Sequence, residues 1–224
     1  MTTALIIGAG SGLSASLARH LHRRGHRIIL ASRDTSDLSE LASETNAVLV
    51  NCNARDRDDM ARLFDTVDAH LPLDVAIYNP SARLRGSIET LDPETVENAI
   101  LVSAYGAFLM AHHAAKRMLD QGSGAMLFTG ASAGVKGFAN SSTFAMGKFA
   151  LRGLCQSLAR ELHPKNIHIG HFVIDGGIAK NPADNPGFNM LDPDAIASSY
   201  MHFLNQHPSS WAWEIELRPQ AETF

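Results

Sequence analysis

The stretch Ala4-Leu5-Ile6-Ile7-Gly8-Ala9-Gly10-Ser11-Gly12 joins a short apolar run to a glycine-rich turn near the start of the chain. The apolar run predicts a buried β-strand, and Leu13, Leu17 and Leu21 predict a following helix with one apolar face. Without Cβ atoms, the glycines would let a pyrophosphate approach backbone N–H groups at the helix N-terminus. A glycine cluster also occurs in tight turns that bind no ligand, so the rest of the chain must decide between the two.

Apolar runs of this kind recur along the chain and alternate with helical patterns. Six are predicted to be fully buried strands, at residues 4–7, 28–31, 47–50, 75–78, 125–129 and 169–174. Asp92-Pro93 and Asp192-Pro193 each predict a helix start, and residues 213–217 alternate as a last, more exposed strand does. The pattern predicts an α/β fold, a Rossmann-like doubly wound parallel sheet of about seven strands, in a single dinucleotide-binding domain spanning residues 1–224.

Composition restricts the classes of partner. The 224 residues carry a formal net charge of -4 with no basic run, which predicts neither a nucleic acid nor a membrane partner. Cys52 and Cys155 are far apart and lack metal-type spacing, and the N-terminus lacks a basic region followed by a long apolar stretch, so a cytoplasmic location is expected. The eleven histidines, His163, His168 and His171 among them, show no ligand spacing, so no metal site is expected.

The end of the second predicted strand bears on the choice of cofactor. An NAD site would place a carboxylate there, whereas this chain has Ser32-Arg33. A guanidinium can bind a 2′-phosphate through charge-assisted hydrogen bonds, so NADP(H) is favoured over NAD(H). The alternative is a solvated arginine that follows a strand.

Together these segments resemble the short-chain dehydrogenase/reductase family over almost the whole chain. The family's TGxxxGxG motif is similar to Ile7-Gly8-Ala9-Gly10-Ser11-Gly12-Leu13-Ser14. The fourth-strand motif NNAG is matched literally only at Asn79, so that segment could also be an ordinary turn. The resemblance implies that the cofactor contacts Gly8, Gly10, Ser11, Gly12, Leu13, Ser32, Arg33, Asn53, Ala54, Asn79, Ser81, Lys148, Gly176 and Ile178.

The sequence departs from the family where the family carries out its chemistry. The catalytic YxxxK motif corresponds to Phe144-Ala145-Met146-Gly147-Lys148, so the proton-donating hydroxyl is missing. The resemblance assigns Lys148 to the nicotinamide ribose, and it places Ala131 and Ser103 where the family has serine and asparagine. Ser132, one residue further on, is a candidate contact for the substrate oxygen. We interpret Phe144 as a buried packing residue.

Other segments leave alternatives open. Ser141, Ser142 and Thr143 could orient a water near Phe144, although a polar helix entrance is the simpler interpretation. Lys180 takes the place of a threonine that often contacts the cofactor amide in the family. Residues 181–191 form either an open rim or a mobile lid.

The resemblance also implies a homo-oligomer, a dimer or a tetramer. Apolar side chains that could be shared between subunits, or could instead belong to the core, are Phe108, Leu109, Met110, Trp211 and Trp213.

Three functions follow from this pattern. The first is an NADP(H)-dependent oxidoreductase acting on an unknown small carbonyl or alcohol, with water or a nearby hydroxyl replacing the tyrosine. The second is a catalytically silent NADP(H)-binding sensor or assembly protein. The third is reduction of an activated carbon-carbon double bond, which needs no proton on oxygen.

Overall fold

Seven parallel strands form one sheet in the computed structural model, which describes residues 1–180 and 187–221. The strands are β1 (Thr3–Ile7), β2 (Arg27–Ser32), β3 (Val48–Asn51), β4 (Leu73–Tyr78), β5 (Gly124–Thr129), β6 (Ile167–Ile174) and β7 (Glu214–Leu217). Their spatial order is β3-β2-β1-β4-β5-β6-β7, and each neighbouring pair is parallel. The predicted doubly wound Rossmann-like sheet is confirmed.

Helices cover both faces of this sheet. They are α1 (Leu13–Arg23), α2 (Ser39–Thr45), α3 (Arg57–Asp68), α4 (Pro93–Ile100), α5 (Gly106–Gln121), α6 (Ser142–Leu162) and α7 (Pro193–Leu204). As predicted, Asp92 and Asp192 cap α4 and α7 by accepting hydrogen bonds from backbone N–H groups of the first turn. A π-helical turn, Leu101–Tyr105, joins α4 to α5 without a loop.

Two apolar layers lie on opposite faces of the sheet. One packs α3, α5 and α6 against it, and the other packs α1, α2 and α7. The chain order reverses between β1 and β4, which opens a crevice at the carboxyl ends of the strands. The candidate site lies in this crevice.

The expectation that all six early strands are fully buried is wrong for β3. Val48, Leu49 and Val50 are half-buried and Asn51 is exposed. The reason is position, because β3 is an edge strand that is paired only with β2. β7 occupies the other edge and is also partly exposed, as its alternating sequence predicts.

Candidate functional site

The glycine turn after β1 packs against Pro80 and is fixed by hydrogen bonds from Ser14 and Asn79. Gly8 has φ +80°, and a Cβ there would lie 2.7 Å from the Pro80 nitrogen, so only glycine fits. Ser14 Oγ donates to the Gly8 carbonyl at 2.9 Å, and Asn79 Nδ2 donates to Ser14 Oγ at 2.7 Å. Asn79 therefore ties the end of β4 to this turn.

The same turn is open on its outer side. A Cβ added at Gly10 or Gly12 would meet no heavy atom within 4 Å. Gly12 is the N-cap of α1 and has no side chain to bond the free N–H groups of the first turn, which contains no acidic residue. Ser11 is exposed, whereas the Leu13 side chain is buried in the core, so only the peptide of Leu13 could face a ligand.

A cavity of about 490 Å³ lies beside the turn, and we call it the Arg33 cavity. Arg33 is exposed at its rim, while the Ser32 hydroxyl is already used in donating to the Asp34 carbonyl. Among the described residues, no Asp or Glu lines the Arg33 cavity. The walls are formed by Ile7, Gly8, Ala9, Ser32, Arg33, Cys52, Asn53, Ala54, Asn79, Pro80, Ser81, Ala82 and Val102.

The walls also include four residues that no sequence motif identified, namely Cys52, Pro80, Ala82 and Val102. Burial raises the pKa of the Cys52 thiol to about 12, with smaller contributions from nearby carboxylates, so this thiol is a neutral wall residue at neutral pH.

A second cavity of about 400 Å³, the Lys148 cavity, opens at the carboxyl ends of β5 and β6. Lys148 is only 2% exposed, and its Nζ donates to the Thr129 carbonyl at 2.7 Å. Burial lowers the pKa of Lys148 to about 8. The walls are Asn79, Ser81, Arg83, Thr129, Gly130, Ala131, Phe144, Lys148, Ile174, Gly176, Gly177 and Ile178.

Phe144 stands on the wall of this cavity as a packing residue. It is 8% exposed and forms a small apolar cluster with Ala131 and Ala133. Two cations lie near its ring: Arg83 Cζ is 4.9 Å and Lys148 Nζ 5.9 Å from the ring centroid. A cation over an aromatic face is attracted by the ring quadrupole.

A third cavity of about 400 Å³, the Arg85 cavity, continues outward past Phe144. Ser132 and Ser141 both line it, so the structure brings these two predicted hydroxyls close to Phe144. The walls are Arg83, Arg85, Ser132, Ala133, Phe138, Ala139, Ser141 and Phe144.

The three cavities form one cleft because neighbours share walls. The Arg33 and Lys148 cavities share Asn79 and Ser81, and the Lys148 and Arg85 cavities share Arg83 and Phe144. Arg83 and Arg85 were not among the residues predicted from the sequence. Two arginines close together in the loop after β4 were the feature that could have indicated them.

Ser103, which takes the place of the family's asparagine, does not line the cleft. It is buried in the π-helical turn, and its Oγ accepts a hydrogen bond from the Ala82 N–H at 3.3 Å. A Cβ at Gly147 would lie 2.7 Å from Ser103 Cβ, so α6 packs directly on this turn. Ser103 therefore supports the loop that carries Arg83.

A hydrogen-bonded network of His171, Glu214 and Arg152 lies near Lys148, with His171 buried and the other two partly exposed. His171 Nδ1 is 2.9 Å from Glu214 Oε2, and Arg152 binds the same carboxylate through two bonds of 2.7 Å. The His171 Nε2 atom is buried without a hydrogen-bond partner and lies against Gly130. Burial lowers the pKa of His171, so the imidazole is neutral at pH 7.

The remaining candidates are placed as follows. Asn53 donates its N–H to Asp59 Oδ2 at 2.8 Å, which fixes the loop after β3. A Cβ at Gly176 would lie 2.7 Å from Pro219 Cδ, and Ile178 bridges to Leu191. Lys180 is exposed and does not belong to the described cleft walls.

Residues 181–186 of the expected rim or lid, and residues 222–224, lie outside the described residues. Of the apolar side chains considered for a shared surface, Leu109 and Met110 are in the core and Phe108 is 46% exposed. Trp211 stacks on His168 with 4.3 Å between ring centroids, and Trp213 packs against the core, so both are half-buried.

Within residues 1–180 and 187–221, no three His, Cys, Asp or Glu side chains are grouped so that they could hold a metal ion. No helix in that part of the chain combines the length and the apolar character that a bilayer crossing requires.

The features of the cleft fit the dinucleotide that the sequence predicts. There is free space over Gly10 and Gly12, the first-turn amides of α1 are uncapped, and Arg33 faces a cavity without a described carboxylate. Lys148 at the other end has its ammonium group beside the wall formed by Thr129. These are the residues that would hold a nicotinamide dinucleotide.

Known proteins resemble this chain over most of its length. A 3-oxoacyl-[acyl-carrier-protein] reductase, MabA, of Mycobacterium tuberculosis (strain ATCC 25618 / H37Rv) is 27% identical over 164 residues, which are 73% of this chain and 64% of that protein. The chain thus spans less than two thirds of that relative's length. An uncharacterized oxidoreductase of Staphylococcus aureus (strain N315) is 25% identical over 225 residues, covering 96% of both chains.

Solved structures agree with the fold and the family. A short-chain dehydrogenase from Rhodopseudomonas palustris superposes with a TM-score of 0.88 at 31% identity, over 97% of this chain and 98% of that chain. A metagenomic short-chain oxidoreductase in complex with NADP shares the fold, with a TM-score of 0.85 at 24% identity over 98% and 97% of the two chains. The family model described as short chain dehydrogenase matches residues 2–182. The resemblance found in the sequence is therefore confirmed, and the chain belongs to the short-chain dehydrogenase family.

Proposed function

We propose that this chain is a single-domain, NADP(H)-dependent oxidoreductase of the short-chain dehydrogenase type that acts on a small carbonyl or alcohol. The observation that carries the proposal is one cleft with Arg33 at one end, Lys148 deeper in, and no carboxylate in its described walls. The name of the mycobacterial relative, a 3-oxoacyl reductase, supports carbonyl reduction as the reaction class.

The chain's residues would bind and orient the cofactor along this cleft. The free amides of α1 and the open space over Gly10 and Gly12 suit the pyrophosphate, and the Arg33 guanidinium suits the 2′-phosphate. Lys148 would donate to the nicotinamide ribose from its buried position. When bound, NADPH supplies a hydride to the carbonyl carbon.

The proton for the substrate oxygen needs another source than residue 144. Ser132 and Ser141 line the cavity beside Phe144, and both can hold a water by hydrogen bonds. Their hydroxyls are weak acids, so we assign them to orienting that water. Loss of a positioned acid costs about 10²- to 10⁴-fold in rate, so turnover should be slow.

A catalytically silent NADP(H)-binding protein is the second candidate. The observation that favours it is the apolar cluster of Phe144, Ala131 and Ala133 at the position where the family has polar groups. In that case the cofactor would bind tightly and act as a signal or an assembly contact. Both candidates require the same cofactor selectivity, so turnover has to distinguish them.

The first experiment is a fluorescence titration of the protein with NADPH and NADH. We expect NADPH to bind at least tenfold more tightly, since charge-assisted hydrogen bonds contribute about 1.5–3 kcal/mol. Arg33→Ala should remove the preference, while Arg23→Ala, on the exposed last turn of α1, should keep it. Equal affinity of the unmodified protein for the two cofactors would overturn the Arg33 argument.

The second experiment restores the hydroxyl as Phe144→Tyr and measures reduction of simple ketones and of enones. With Lys148 Nζ 5.9 Å from the ring centroid, we expect a gain of about 10²-fold or more on ketones. Phe138→Tyr adds a hydroxyl elsewhere on the Arg85 cavity and should give no gain. Silence of both the unmodified protein and Phe144→Tyr favours the non-catalytic candidate. Turnover of enones alone favours double-bond reduction.

We also propose that the protein is a homo-oligomer and is located in the cytoplasm. Phe108 is 46%, Met146 54% and Phe149 45% exposed on α5 and α6, which lie on the same face of the sheet and could share apolar surface with a second copy. Cys52 and Cys155 are free buried thiols, which supports a reducing compartment. Light scattering after size exclusion tests the assembly, and a monomer at micromolar concentration would refute it.

A further inference from the structure

We propose that the substrate carries an anionic oxygen group, a carboxylate or a phosphate, which Arg83 and Arg85 bind at the outer end of the cleft. This inference rests on the proposed oxidoreductase function and names the class of its substrate. Both arginines line the Arg85 cavity, and Arg83 also lines the Lys148 cavity, so a molecule bound beside Lys148 would reach them.

The charge of the cleft is opposite to that of the protein. The chain has a formal net charge of -4, yet the described walls of the three cavities carry Arg33, Arg83, Arg85 and Lys148 and contain no Asp or Glu. Low-dielectric walls lined by one sign of charge concentrate the field and attract the opposite charge. Arg33 and Lys148 match groups of the cofactor, which leaves Arg83 and Arg85 for the substrate.

No described carboxylate pairs with either arginine. The ion pairs of the described residues join other partners, such as Arg152 with Glu214 and Arg117 with Asp68. Both Arg83 and Arg85 are exposed at the loop after β4, where their guanidinium groups can meet a ligand entering from solvent. A guanidinium presents paired N–H donors that suit carboxylate and phosphate oxygens.

Arg83 is held in position by two neighbours. Its Cζ lies 4.9 Å from the centroid of the Phe144 ring, and its loop is anchored where Ala82 N–H donates to Ser103 Oγ at 3.3 Å. Two of the three family positions whose residue type has changed, 144 and 103, therefore support this arginine. A guanidinium stacked on an aromatic ring is more ordered than a free one.

The test is a thermal-shift titration of the NADPH-saturated protein with sodium malonate, inorganic phosphate and neutral malonamide, with ionic strength balanced by sodium chloride. We expect malonate or phosphate to raise the melting temperature, and malonamide to leave it unchanged. The apparent affinity for the anion should fall about 10- to 100-fold in Arg83→Ala and in Arg85→Ala. Arg23→Ala, on the exposed last turn of α1 and outside the walls of the three cavities, should match the unmodified protein.

The two anions identify the source of the charge: a stronger response to malonate assigns a carboxylate, and a stronger response to phosphate assigns a phosphate group. An equal response in the Arg83→Ala/Arg85→Ala double variant, or no response to either anion, overturns the proposal. Failure of the protein to bind NADPH at all would instead refute the proposed function, and the cofactor titration shows that separately.

A turnover arm uses matched substrates, an oxo acid whose carboxylate lies several bonds from the ketone carbon and the neutral ketone of the same chain length. We expect kcat/KM to favour the acid, and Arg83→Ala to lower kcat/KM about 10- to 100-fold for the acid while the ketone changes less than threefold. The preference should weaken with added salt, because the arginines are solvent-exposed. Equal losses on both substrates would show that Arg83 supports the fold rather than the anion.

Discussion

Replacing Lys148 by methionine should change how the stability of the cofactor-free protein depends on pH. Lys148 is 2% exposed, and within the described residues its ammonium group donates to the Thr129 carbonyl at 2.7 Å. No carboxylate of residues 1–180 and 187–221 forms an ion pair with it. Burial raises the pKa of the neighbouring Cys155 thiol well above its usual value, so this thiol is uncharged and cannot neutralise the lysine either. Folding therefore has to bury a cation.

The size and sign of the effect follow from the pKa of Lys148, which burial lowers from 10.5 to about 8 in the folded protein. Below pH 8 the lysine is charged in both states, and the folded state carries the whole penalty. Between pH 8 and 10.5 the folded state loses its proton first, so the unfolded state binds more protons and stability rises with pH. At 1.36 kcal/mol for each pKa unit, the rise is about 3 kcal/mol.

The assay is urea unfolding at pH 7, 9 and 10.5, followed by the fluorescence of Trp211 and Trp213. Relative to Lys148→Met, the unmodified protein should gain about 3 kcal/mol over this range, or about 1.5 M in the urea midpoint for a slope near 2 kcal/mol/M. Groups common to both proteins cancel in the difference. Lys116→Met, at an exposed position on α5, should run parallel to the unmodified protein. Parallel curves for Lys148→Met would refute the buried-cation account.

Two further substitutions test the packing around the cleft. Gly106→Ala should destabilise the protein by about 1–3 kcal/mol and weaken NADPH binding, because the new Cβ would collide with the Tyr78 hydroxyl and the wall of the Arg33 cavity. Gly137→Ala, where a Cβ meets nothing within 4 Å, should stay within about 1 kcal/mol in the same urea assay. Glu214→Ala should cost about 1–3 kcal/mol, because it leaves a buried histidine and an arginine without their acceptor. Glu44→Ala breaks an exposed pair and should cost less than about 1 kcal/mol, and equal losses at the two glutamates would contradict the network.

The sequence predicted the sheet well because its strands are buried by helices on both faces. Continuous apolar runs predicted six of the strands and an alternating run predicted β7, and all seven were found with ends shifted by no more than two residues. β3 was misjudged because a run of apolar residues does not reveal its place at the edge of the sheet. Edge position depends on strand order, which is a property of the whole chain.

The candidate site divides along a similar line. Gly8 and Asn79 could be predicted because each directly follows a strand and has to be one kind of residue. Gly8 has a positive φ and no room for a Cβ, and Asn79 donates a side-chain hydrogen bond to Ser14. Arg83 and Arg85 could not, because their position in the cleft depends on a loop that folds toward α6 and brings Arg83 over Phe144. The spacing of neighbouring residues in the sequence does not predict that contact, because Arg83 and Phe144 are far apart in the chain.

Phe144, which replaces the family's tyrosine, lies beside two cations, Arg83 and Lys148. In the unmodified protein Arg83 and Lys148 both lie near an apolar ring, at 4.9 and 5.9 Å from its centroid, and no described carboxylate pairs with either cation. An anionic group that enters the cleft could neutralise them. A tyrosine at 144 would supply a hydroxyl whose ionised form both cations stabilise. Phe144→Tyr should therefore raise the turnover of neutral ketones and lower the preference for anionic substrates. A change in only one of these two quantities would show that the missing proton donor and the binding of an anionic substrate are independent.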